Sequence, residues 1–173
     1  MYPVSLTDTI VRLHHAGVFG VSWSEQILAE AQTALIRDGK DPAAISRRFG
    51  ALRSVFPECM VDGYADLVPV MTCDEGDRHV LAAAVHAGVN QLITSNLQDF
   101  PRESTEQYGI EVVSPDDLLL NALDLYPNRV LEVMHQQAAA LNRPPMAIDQ
   151  VVNALAKHAP NFAQTVDTIL RTA

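Results

Sequence analysis

Residues 74–101 read DEGDRHVLAAAVHAGVNQLITSNLQDFP, and this stretch decides the fold: an acidic start, a helix, a glycine stop, a short apolar strand and a second polar cluster. Asp74, Glu75 and Asp77 fall where the first turn of a helix is expected, because carboxylates are favoured at the positive end of a helix dipole. Leu81, Ala84 and Val85 form the apolar side of that helix, and Gly88 stops it. Val89 to Thr94 then reads as a short buried strand, and Thr94, Ser95, Asn96 and Asp99 follow at its carboxyl end. That end is where α/β sheets keep their sites. Two acidic clusters around one helix and one strand are a donor set suited to hard divalent cations.

Outward from this centre the chain repeats the same logic. From Leu6 to Val21 the pattern is a helix with Ile10, Val11 and Leu13 apolar, a Gly17 stop and an apolar strand at Val18 to Val21. Ser22 reads as an N-cap, with Glu25 completing a capping box and Ile27, Leu28, Ala31 and Leu35 forming the stripe of a second helix. Glu30 lies in that helix, off the stripe. Asp41-Pro42 breaks the chain before a helix over Ala43 to Val55, and a loop or edge segment runs on to Val70. Downstream, Gly109 precedes a strand over Ile110 to Val113, then Ser114 as N-cap with Pro115 at the first helical position. Such alternation predicts an α/β protein with a central parallel sheet covered by helices. Beyond Leu118 only helices are expected: Arg129 to Leu141, a break at Asn142-Arg143-Pro144-Pro145, Ala147 to His158, and a last one after Pro160.

At 173 residues and 48% hydrophobic content the chain can bury a substantial core without staples. Its formal charge of -9 argues against holding nucleic acid through broad phosphate neutralisation, although clustered carboxylates that bind cations contribute to such a charge. Arg47, Arg48 and Arg53 are the obvious local basic group, read either as phosphate contacts or as a solvated helix face. Cys59 and Cys73 stand apart from any CxxC or ligand-spaced histidine, so neither zinc nor a disulfide framework is indicated and a reducing cytoplasm fits. No apolar run reaches the length of a membrane span.

The quoted residues resemble the PIN-domain ribonucleases, in particular the toxin halves of VapBC-type toxin–antitoxin pairs, from Tyr2 through about Leu120. The match rests on D-x-x-D-R-H-V-L-A-A-A from Asp74, on T-S-N-x-x-D-F from Thr94, and on WSEQILAE from Trp23. The tail from Pro127, PNRVLEVMHQQAAALNRPPMAIDQVVNAL, is similar to the helical C-terminal extension of a longer subgroup of these toxins. The resemblance implies a three-layer α/β/α PIN-like domain over residues 1–120 and a helical extension over residues 121–173. It implies a metal-dependent endoribonuclease in which Glu30, Asp77 and Asp99 hold Mg²⁺ or Mn²⁺, with Thr94, Ser95 and Asn96 orienting water, substrate or a ligand carboxylate. RNA as substrate and a VapB-like antitoxin are the implied partners, and a homodimer is expected from strand exchange.

The family begins with an apolar strand that ends in an aspartate, and here Met1 falls where that strand has already ended. The expectation is therefore an N-terminally truncated domain, impaired by loss of its first active-site aspartate, with the open place in the sheet filled by strand exchange between two copies. The alternative is a catalytically inactive PIN-like module that pairs with an antitoxin or with itself. A hydrolase with a nucleophile is disfavoured, because no G-x-S-x-G elbow or Cys-His arrangement appears.

Ordinary roles compete with several of these assignments. Asp74 reads as a cap, and Asp8, the nearest acid to the missing one, as a first-turn residue favoured by the helix dipole. His79 and His86 read as packing or surface residues, His14 and His15 as favourable charge at a helix C-terminus, and Trp23 as a core anchor.

Overall fold

The computed structural model describes residues 4–140 and 147–172, so the expected Asn142-to-Pro145 break and the Tyr2-Pro3 start lie outside the described residues. Most of the described chain is helical, with one small parallel sheet of two strands. Its elements are α1 (Val4–His15), α2 (Glu25–Arg37), α3 (Pro42–Val55), α4 (Arg78–Ala87), β1 (Gln91–Ile93), α5 (Arg102–Thr105), β2 (Glu111–Val113), α6 (Pro115–Leu125), α7 (Pro127–Ala140), α8 (Ile148–Leu155) and α9 (Pro160–Thr172). They fall into two compact units.

The first unit spans Ser22–Val113. Its β1 and β2 run parallel, with Leu92 opposite Val112 and Ile93 opposite Val113, and the chain crosses between them through α5. Leu81 and Ala82 of α4 pack with Leu92 of β1 and with Met71, Cys73, Phe100 and Ile110 in a buried core. Helix α4 ends where Gly88 takes a left-handed φ of 64°, a conformation that side-chain-bearing residues rarely adopt, and its N–H closes on the carbonyls of Ala84 and Val85. Arg53 of α3 grips Glu25 of α2 with two hydrogen bonds of 2.8 and 2.6 Å, which engages one member of the basic group seen in the sequence.

The second unit is built from α1, residues 16–21 and everything from Ser114 onward. Leu6 and Leu13 of α1 are fully buried among Leu119, Val130, Met134, Val151, Leu155, Phe162 and Val166, contributed by the four C-terminal helices. Ser114 caps α6 as expected, accepting from the Asp117 N–H at 3.1 Å. One polar link crosses this core: the Thr9 hydroxyl donates to Gln137 Oε1 at 2.8 Å, and Gln137 Nε2 donates to the Ser5 carbonyl at 3.1 Å. Gln137 is 1% exposed, so its amide has no recourse to water. Replacing Gln137 by alanine removes both of its hydrogen bonds, leaving the Thr9 hydroxyl with the Ser5 carbonyl alone at 3.0 Å, and opens a cavity, at a cost of about 2–3 kcal/mol. A calorimetric melt is expected to show a drop of roughly 4–10 °C, and an unchanged midpoint would mean that the pair is dispensable.

Several expectations are corrected. The central sheet is far smaller than the alternation implied: the strands expected over Val89 to Thr94 and Ile110 to Val113 pair only over Gln91–Ile93 and Glu111–Val113. Val18 to Val21 forms no strand, because Val18 and Phe19 pack against the helical core of the second unit instead of pairing. The N-cap of α2 is Ser24, which accepts from the Ile27 N–H, and not Ser22. Trp23 lies in a single parallel bridge with Met60, held by Trp23 N–H to Cys59 O and Val61 N–H to Trp23 O, both 2.9 Å, so the helix cannot begin before it. Asp8 sits beyond the first turn of α1 and pairs with Arg12 at 2.9 Å. No described helix is long and apolar enough to cross a membrane.

Candidate functional site

Glu30, Asp74, Glu75, Asp77 and Asp99 all lie in the first unit, whereas Asp8 lies in the second. Asp74 caps a 3-10 turn, Glu75–Asp77, by accepting from the Gly76 N–H at 2.9 Å. The acids expected in the first helical turn therefore precede α4, and Asp77 is the residue from which that helix starts. A second 3-10 turn, Leu97–Asp99, follows β1 and ends at Asp99. The two turns are joined through the backbone, Asp74 N–H donating to Asp99 O at 3.0 Å. This places the Asp77 and Asp99 side chains in contact.

The electrostatics of the pair follow from that contact. The Asp77 carboxyl is pushed above its usual range by partial burial first, then by its hydrogen bond to and the charge of Asp99 and by the charge of Asp74, with His79 acting in the opposite sense. Asn96 donates its amide N–H to the Asp99 carboxylate, which orients that side chain. The Thr94 hydroxyl accepts from the Asn96 N–H at 3.0 Å, which shapes the turn, while Ser95 is exposed.

Glu30 stands on α2 with its side chain 55% exposed. Each of its oxygens faces a different neighbour: Gln26 donates to Oε1 at 3.2 Å, and His79 Nε2 lies 3.2 Å from Oε2. His79 is the residue that sequence reasoning passed over as packing. It is buried, yet its Nδ1 is 3.0 Å from the Gly76 carbonyl within the acidic turn, so the ring connects Glu30 to the segment carrying Asp77. Its place two residues after Asp77 was the available signal. Among the described residues Glu30, Asp77 and Asp99 do not bring one oxygen each within 4.8 Å of one another, so the site divides into an Asp77–Asp99 part and a Glu30–His79 part. An all-oxygen pair of carboxylates, flanked by a turn amide, fits a hard divalent ion that keeps several waters.

Comparison with known proteins places residues 115–168 in a family model, the VapC50 C-terminal domain. The chain is also 39% identical over 101 residues to a Mycobacterium tuberculosis protein named "Putative ribonuclease VapC50", a match covering 58% of this chain and 60% of that protein. The chain thus spans less than two thirds of the length of the curated relative it matches. No solved structure matches it.

Proposed function

We propose that this chain is a metal-dependent endoribonuclease of the PIN/VapC toxin type, with Glu30, Asp77 and Asp99 as the metal-holding acids and its α/β part a PIN-like domain. The contact between Asp77 and Asp99, on two turns joined by the Asp74–Asp99 backbone bond, carries the reading. The relative's name, a ribonuclease, agrees with it. Asp77 and Asp99 hold the ion and Asn96 orients the Asp99 carboxylate. The Glu30 carboxylate is aimed by Gln26 and faces solvent, where a substrate arrives. A bound Mg²⁺ or Mn²⁺ supplies an acidified water and positive charge to balance that building on the phosphate. A VapB-like antitoxin and a second copy of the chain are proposed as partners of the same reading.

The test is cleavage of single-stranded and loop RNA by the purified chain with Mg²⁺ or Mn²⁺. Cleavage is expected with either ion, none in EDTA, and a loss of roughly a hundredfold in Asp99→Asn. Cutting that persists in EDTA or is undiminished in Asp99→Asn would overturn the assignment. A chain that binds the ion but never cuts is instead a PIN-like binding module.

A further inference from the structure

The chain holds two Asp-Gly links, Asp38-Gly39 and Asp62-Gly63, both in the first unit and both exposed. Their glycines share one backbone conformation, φ 80° at Gly39 and 79° at Gly63, and neither link has a side chain after the aspartate to hinder attack on its carboxyl. Intrinsic reactivity is therefore matched, and the surroundings alone differ. At the first link the backbone is tied down as the end of α2: Asp38 N–H donates to Ala34 O at 3.0 Å, Gly39 N–H to Ile36 O at 3.0 Å and Lys40 N–H to Leu35 O at 3.1 Å. The second link lies outside helix and strand, and neither the Gly63 N–H nor the Asp62 carboxylate has a hydrogen-bond partner among the described residues. Apart from its chain neighbours, only the His86 ring stands within 4 Å of the place where a side chain would project from Gly63.

A free amide beside an unengaged carboxyl is the reactant pair for cyclisation. The Gly63 nitrogen loses its proton and bonds to Asp62 Cγ, the carboxyl C–O bond breaks, and one water leaves to give a cyclic succinimide. Water then adds back at one of the two ring carbonyls and opens the C–N bond there. Opening at Cγ restores aspartate, whereas opening at the main-chain carbon of Asp62 leaves the chain running through the side chain as an isoaspartyl link. Water is the sole co-reactant, released and then taken up.

We propose that Asp62-Gly63 is a self-modification site, at which the folded chain converts aspartate to isoaspartate through a succinimide, while the end of α2 protects Asp38-Gly39. The place of the link gives the change a consequence. On one side Val61 N–H is bonded to Trp23 O at 2.9 Å, and on the other Tyr64, Leu67 and Val68 pack against the core that contains Leu81 of α4. An isoaspartyl link adds one main-chain carbon between these anchors and so displaces the 3-10 turn Ala65–Val70 from its seat.

Incubation of the folded full chain for weeks at neutral pH in water enriched in oxygen-18, followed by digestion in ordinary water and mass spectrometry, reads the reaction directly. Each passage through the ring leaves one oxygen-18 in the aspartyl residue, and electron-based fragmentation separates isoaspartate from aspartate. Label and isoaspartate are expected at Asp62 about tenfold faster than at Asp38, the rate equivalent of the hydrogen bond and turn that must first open at Gly39. In denaturant the two links are expected to react at similar rates. Amide exchange over residues 64–70 is expected to be faster in the isomerised chains than in the parent, and unchanged exchange there would remove the consequence drawn for the turn. Equal labelling of the two links in the folded chain, no labelling of Asp62, or the same preference in denaturant overturns the proposal.

Discussion

Asp77→Asn is expected to lower RNA cleavage by roughly a hundred- to a thousandfold, the rate equivalent of losing about 3–4 kcal/mol of transition-state stabilisation, and at the same time to make the metal-free chain more stable at neutral pH. The second effect follows from the sign of the Asp77 shift. A carboxyl whose folded-state pKa is raised contributes stability that is fully present below the unfolded pKa and lost as pH rises through the folded value. Ionised Asp77 is therefore disfavoured, first by its burial and then by Asp99 and Asp74, and the asparagine removes that charge. The stability gain is expected to shrink as pH falls through the carboxylate range, where both proteins carry an uncharged side chain. Saturating Mn²⁺ should reverse the order, raising the melting point of the parent chain more than that of the variant. Thermal melts at neutral and acidic pH, with and without the ion, read all three. A variant that is less stable than the parent at neutral pH without metal would sink the paired-carboxyl account.

The largest expected effect on stability alone lies in the other unit. Asp116 is buried at the start of α6 and receives the first free N–H groups of α9: Phe162 N donates to Oδ1 at 2.8 Å, and Asn161 donates to Oδ2 through its N–H at 3.2 Å and its side-chain Nδ2 at 2.7 Å. Pro160 opens α9 and has no N–H to satisfy, so one carboxylate meets the positive end of that helix. Asp116→Ala orphans all three donors, two of them backbone, and is expected to cost about 3 kcal/mol, or roughly 6–12 °C in melting temperature. Asp116→Asn keeps an acceptor for Phe162 and is expected to lose about half as much. A calorimetric melt of either variant that matches the parent would show the cap to be redundant.

Much of this was legible from local signals. Gly88, Ser114-Pro115 and Asp41-Pro42 mark ends that the chain obeys, because left-handed φ, hydroxyl capping and a fixed proline φ are properties of single residues. Asp77 and Asp99 were legible as a pair through their positions before a helix and after a strand. The misses involve partners distant in sequence. Ser22 and Ser24 are equally good caps, and the choice is made by the Met60 bridge that holds Trp23 extended. Val18 to Val21 has strand composition, but its fate is set by helices more than a hundred residues away. His79 looked like a core histidine because burial is what its helix face predicts. It is indeed buried, and what no periodicity encodes is its pair of polar contacts, Gly76 O on one side and Glu30 on the other.

The placement of α1 among the C-terminal helices has a consequence for synthesis of the protein. The Thr9–Gln137 bond joins residues 128 positions apart. At a translation rate of roughly 5–20 residues per second, α1 waits on the order of ten seconds before its partners exist. During that interval Leu6 and Leu13, fully covered in the finished protein, are open to water and to other nascent chains. Residues 22–113 emerge meanwhile with a core of their own. Helix α1 thus leaves the ribosome ahead of the other described helices yet is among the last of them to be buried, and its apolar face is the place where a chaperone, or a neighbouring copy on the same polysome, has time to act.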